Sequence, residues 1–199
     1  MALTFANKIT VCRIVAVPFL IATVLYYTPA QDHLRFVALG IFSFAVISDA
    51  VDGYVARHYR QRTKAGAVLD PVADKLLLIS AFTCLYKVGD AIGGGVHFPI
   101  WLVVGVISRD VILLAGAAII RLFHGDFEVA PTIWGKAATF FQIAAVLGIL
   151  LRLPWMSVVW LPTILLTAFS GIDYIRKGIK IINGAPPEKA RGTSIYPDS

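Results

Sequence analysis

Apolar residues dominate six successive runs of the chain, at about 8–28, 34–57, 67–88, 97–121, 133–152 and 154–182. Each run is close to the roughly 20 residues that a helix needs to cross the hydrocarbon of a bilayer. Turn and breaker signals separate them: Thr28-Pro29, the basic stretch 57–66, Gly93-Gly94-Gly95, the turn at His124-Gly125-Asp126, and Arg152-Leu153-Pro154. The pattern predicts an all-α integral membrane protein of six transmembrane helices, forming one domain over residues 1–182 with no internal repeat. The tail 183–199, rich in Gly, Pro and charge, is expected to be disordered.

Composition agrees with that reading. The 199 residues are 58% hydrophobic and only 15% charged, with mean hydropathy +0.77, against about 25% charge in soluble domains. A water-soluble monomer would have nowhere to bury this excess. The net charge of +6 lies mostly between the apolar runs, which suits anionic lipid headgroups and offers no basic face for nucleic acid. With six spans, one side carries thirteen Lys and Arg (Lys8, Arg13, Arg57, Arg60, Arg62, Lys64, Arg121, Lys136, Arg176, Lys177, Lys180, Lys189 and Arg191), and the other carries three, Arg35, Lys87 and Arg152. The positive-inside rule therefore places both termini in the cytoplasm, and the expected membrane is a prokaryotic inner membrane. Cys12 and Cys84 lie within apolar runs and suggest packing, not a disulfide framework. No cleavable signal peptide is evident.

The chemistry is concentrated in acidic residues. Asp49, Asp52, Asp70, Asp74, Asp110 and Asp173 all fall within predicted spans, where an ionised carboxylate costs about 2.5–3.5 kcal/mol. Asp49 and Asp52 are three apart and Asp70 and Asp74 four apart, so each pair projects from one helical face. The short 57–66 linker predicts that the second and third helices run antiparallel as neighbours, bringing both pairs to one level. Four such carboxylates repel unless cations neutralise them. Their all-oxygen donor set favours Mg²⁺ or Mn²⁺ over zinc. Gly53 and Gly66 remove side chains beside the aspartates, and Arg57 offers a planar cation suited to phosphate oxygens.

Residues 49–74 read DAVDGYVARHYRQRTKAGAVLDPVAD. This resembles at every defined position the signature D-x2-D-G-x2-A-R-x8-G-x3-D-x3-D of the CDP-alcohol phosphotransferase family. Asn7-Lys8-Ile9-Thr10 with Arg13 and Pro18, and Ser170-Gly171-Ile172-Asp173-Tyr174, extend the likeness over nearly the whole chain. The resemblance implies a six-helix membrane enzyme, commonly a homodimer, with a polar cavity open to the cytoplasm. It implies that Asp49, Asp52, Asp70 and Asp74 bind two divalent cations. Asp74 would also be the general base, and Gly53, Ala56, Arg57 and Gly66 would line the site of the CDP moiety. The implied reaction is transfer of a phosphatidyl group from CDP-diacylglycerol to an alcohol, releasing CMP.

For the acceptor, Arg109 with Asp110 in ISRDV predicts an intramembrane ion pair or an anion site. Arg109, Lys136 and Lys177 are the candidates to hold an acceptor phosphate. The chain is most similar to the phosphatidylglycerophosphate synthases, which makes glycerol 3-phosphate the leading acceptor. ISRDV and PTIWGK also resemble the cardiolipin synthases, whose acceptor is phosphatidylglycerol, and inositol-type acceptors come third. A small transporter is the alternative of another class, disfavoured by the missing inverted repeat.

Overall fold

The computed structural model describes residues 5–59, 66–124 and 132–182, with side chains described over 11–51, 72–119 and 132–179. Six helices follow in order: α1 (Phe5–Leu25), α2 (His33–Tyr59), α3 (Gly66–Ile92), α4 (Ile100–His124), α5 (Ile133–Leu150) and α6 (Trp160–Ile182). No strand occurs among the described residues. The apolar stretches at His33–Val51, Ile100–Ile119, Ile133–Leu150 and Met156–Ile179 are each long enough to cross a bilayer. In α1 the described apolar stretch, Val11–Leu25, is shorter. α3 carries Asp74, Lys75, Lys87 and Asp90 along its length.

The helix ends follow local chemistry. α1 stops at Leu25, ahead of the 28 expected, because Thr28 precedes a proline and is extended (φ −133°, ψ 151°). The run expected over 154–182 breaks into a 3-10 turn (Met156–Val159) and then α6, whose first turn accommodates Pro162. Between α3 and α4 the chain reverses through Gly94 and Gly95, both at positive φ (65° and 96°), where a side chain would be strained.

Packing corrects one expectation. Among the described residues α2 and α3 touch at few points, and α1 packs along both. α5 lies against both as well, so α2 and α3 stand at opposite corners of a square completed by α1 and α5. A second square, α3–α4–α6–α5, shares the α3–α5 edge.

The core is apolar and continuous, built on Leu20, Phe42, Leu77, Phe82, Leu102 and Ile149, with Phe82 stacked on Phe98 at 4.5 Å between centroids. Lipid offers little hydrophobic drive between helices, so close fit does more of the work. Gly105 of α4 accordingly faces Ile164 of α6, and Gly116 faces Tyr174.

The ends of the helices away from the aspartates are tied together. Arg152, itself at φ 56°, donates to the Ile92 carbonyl (2.9 Å), the Tyr27 hydroxyl (2.6 Å) and Asp32 (2.7 Å). Arg35 bonds both oxygens of Asp32 and donates to the Leu150 carbonyl at 2.8 Å. Asp32 lies in the α1–α2 connection, and the Arg35 hydrogen bond, with Tyr27 and the charge of Arg152, holds its pKa down at about 2.

Candidate active site

Charged residues of the spans meet on both sides of α3, a helix the two squares share. From α1, Arg13 is buried and its Nη1 lies 2.7 Å from Oδ1 of Asp49 on α2. Asp49 keeps 45% of its side chain exposed, leaving oxygen free to meet a ligand. Asp74 on α3 is half-buried, and the charges acting on it come from Lys75, Asp49, Arg13 and Asp110. Both described aspartates of the motif therefore belong to one electrostatic cluster.

The next residue of α3 points into the other square. Lys75 Nζ is 3.0 Å from Oδ1 of Asp110, a carboxylate with no solvent exposure. Arg109 Nη1 also donates to that oxygen, at 2.7 Å, and Arg109 Nη2 donates to the Ser170 hydroxyl at 2.6 Å. A buried carboxylate is tolerated in lipid only when paired. Asp110 meets two cations, from α3 and from its own helix, and so joins three helices through Ser170.

Arg109 also meets the start of α5. Thr132 caps that helix, its hydroxyl accepting from the Gly135 amide at 3.0 Å. A Cβ placed on Gly135 would stand 3.3 Å from each of the Arg109 guanidinium, the Ser170 hydroxyl and the Thr132 hydroxyl. Glycine here lets the guanidinium lie against the positive end of a helix, a combination that attracts anions.

Of the remaining candidates, two have described side chains. Lys136 is exposed in the first turn of α5. Lys177 pairs with Asp173 one turn back on α6, at 3.0 Å. Asp52, Gly53, Ala56, Arg57, Gly66 and Asp70 have backbones in α2 and α3, but their side chains lie outside the described residues. No cluster of three metal-ligating side chains occurs among the described residues, which hold only two of the four motif aspartates.

Sequence reasoning missed the pairing of Arg13 with Asp49, that of Lys75 with Asp110, and the roles of Ser170, Thr132 and Gly135. A lysine within a span had to find a carboxylate, and that signal was present. Which of six aspartates it would find was not readable from spacing.

The model of the CDP-alcohol phosphatidyltransferase family matches residues 3–169, a stretch that includes Arg13, Asp49, Asp74, Lys75, Arg109 and Asp110. The chain belongs to that family. Its members are membrane-bound transferases of phospholipid synthesis that use divalent metal. The chain is 35% identical over 185 residues to a probable phosphatidylglycerophosphate synthase of Mycobacterium tuberculosis, covering 90% of this chain and 83% of that protein. It is 30% identical over 147 residues to a CDP-diacylglycerol–glycerol-3-phosphate 3-phosphatidyltransferase of Haemophilus influenzae, covering 72% and 74%. A probable cardiolipin synthase (CMP-forming) of Drosophila melanogaster is 29% identical over 197 aligned residues, covering 87% of this phosphatidyltransferase and 57% of the fly protein.

Proposed function

We propose that the protein transfers the phosphatidyl group of CDP-diacylglycerol to a hydroxyl of glycerol 3-phosphate, giving phosphatidylglycerophosphate and CMP. The observation that carries this reading is the make-up of α3: it bears Asp74 of the motif and, one residue on, Lys75, which pairs with Asp110 beside Arg109, Ser170 and the α5 N-terminus. A donor and an anionic acceptor can thereby meet at one helix. The names of the bacterial relatives support the same acceptor.

The donor set fits divalent metal. Arg13, Lys75 and Arg109 balance Asp49, Asp74 and Asp110, so Asp52 and Asp70 add negative charge that these three cations do not neutralise. Asp49, Asp52, Asp70 and Asp74 would hold two cations, Mg²⁺ or Mn²⁺, all through oxygen. When bound, these ions offset the charge of the diphosphate and of the departing CMP.

The chain's own residues supply the rest. Gly53, Ala56 and Gly66 leave room for the CDP moiety, and Arg57 holds its phosphates. Arg109, with Lys136 and Lys177, holds the phosphate of the acceptor. Asp74 takes the proton of the acceptor hydroxyl as its oxygen bonds to the phosphatidyl phosphorus and the bond from that phosphorus to the CMP oxygen breaks. Holding both reactants in the membrane excludes water, which would otherwise hydrolyse the donor.

Residues 1–182 form the catalytic domain, as a homodimer in a prokaryotic inner membrane. Both termini and the 183–199 tail are cytoplasmic, in line with thirteen Lys and Arg against three. The experiment is an acceptor panel. Purified protein with Mg²⁺ or Mn²⁺ and radiolabelled CDP-diacylglycerol should release CMP with glycerol 3-phosphate. Turnover only with phosphatidylglycerol would establish instead the second reading, a cardiolipin synthase, which the fly relative favours.

A further inference from the structure

Lys75 takes no part in the proton transfer, yet a lysine is kept at membrane depth one residue past Asp74 on α3. Its Nζ lies 3.0 Å from Oδ1 of Asp110 without hydrogen-bond alignment, so the contact is one of charge. The same oxygen takes Arg109 Nη1 at 2.7 Å, while Oδ2 meets no partner.

Arg109 and Asp110 follow one another on α4, and consecutive residues of a helix do not face each other. Their contact by itself leaves the carboxylate free to swing. Lys75, from a different helix, pins it. The guanidinium is then clamped, with Nη1 on Asp110, Nη2 on the Ser170 hydroxyl of α6 and a flank against Gly135 of α5. Its Nε is buried and has no partner. A buried arginine held on two sides, with a donor still to satisfy, is preorganised for an anion.

We propose that Lys75 is a positioning residue: through Asp110 it holds the Arg109 guanidinium where the phosphate of the acceptor docks, and it touches neither reactant. The inference rests on glycerol 3-phosphate being the acceptor. Asp74 and Lys75 are consecutive on α3, so one rigid helix carries the base and, through Asp110, the alignment of the phosphate grip. The distance between the acceptor's hydroxyl and its phosphate is matched to that arrangement.

Lys75→Met removes the charge but leaves Asp110 paired with Arg109, so no buried ion is stranded and the protein should fold. KM for glycerol 3-phosphate should rise about tenfold, with kcat and the KM for CDP-diacylglycerol within about threefold of the unaltered values. Inorganic phosphate should compete with glycerol 3-phosphate, and its inhibition constant should rise by the same factor. Unchanged constants overturn the proposal, and so does a fall in kcat alone, which would tie Lys75 to Asp74 instead. If Lys75→Met is not monodisperse, Lys75→Gln, which loses the charge but keeps a donor for Oδ1, is read by the same constants. Lys75→Met combined with Asp110→Asn should show the phosphate inhibition constant of Asp110→Asn alone. A further rise would mean that Lys75 meets the phosphate itself, which also overturns the proposal. Absence of turnover with glycerol 3-phosphate in the unaltered protein would refute the acceptor, a result distinct from all of these.

Discussion

Asp74 and Asp110 are both intramembrane aspartates, and their surroundings give them opposite duties. Asp74 is half-buried among charges of both signs, with Asp49 partly open beside it. Asp110 is wholly buried and consumed by Lys75 and Arg109. Replacing Asp74 with Asn should cut CMP release about 10²- to 10⁴-fold, the usual worth of a general base, while the purified protein stays monodisperse. Asp110→Asn should act on stability first. It strands two buried cations, a change worth about 3–5 kcal/mol when one partner of a buried pair is removed. A clear fall in the thermal unfolding midpoint in detergent is the expected outcome; an unchanged midpoint would mean the cations find other partners.

Between helices, contact distance matters more than apolarity, because lipid is as apolar as the core. At Gly116 of α4 a Cβ would come 2.8 Å from the Tyr174 ring of α6, a rigid neighbour that cannot fold away. Gly116→Ala should therefore destabilise the protein by about 1–3 kcal/mol. In a double-mutant cycle with Tyr174→Ala the two changes should couple, since the smaller residue removes the clash; additive effects would show that the helices already have slack there. The same scale explains the misplaced neighbours. A short linker between α2 and α3 reads as direct packing, yet among the described residues both helices pack chiefly on α1, whose Arg13 pairs with Asp49.

Across the whole molecule the two ends of the bundle differ in kind. The aspartate end gathers charges around a proposed reaction centre, whereas the far end is closed by Asp32, Arg35, Arg152 and Tyr27. Because the folded pKa of Asp32 lies below its usual value, chiefly through Arg35, its ionised form stabilises the fold. That contribution is full above the ordinary carboxylate pKa near 3.8 and is lost as pH falls through about 2. Unfolding midpoints in detergent from pH 6 down to pH 2 should drop more steeply for the unaltered protein than for Asp32→Asn. Parallel curves would remove Asp32 from the clasp.

The six apolar runs, the aspartate spacing and the signature at 49–74 are local properties, so fold class, family and the residues with chemistry to offer are legible in the residue order alone. Hydrocarbon forbids unpaired charge and unpaired backbone, so few structures suit such a pattern. Which charge meets which is a property of the packed helices. Arg13 with Asp49, Lys75 with Asp110, Arg109 with Ser170 and the α5 terminus, and the packing of α1 along both α2 and α3 all depend on contacts between helices. Helical periodicity names the face a side chain occupies, but the partner opposite it is chosen by the energy of the packed bundle, to which every helix contributes.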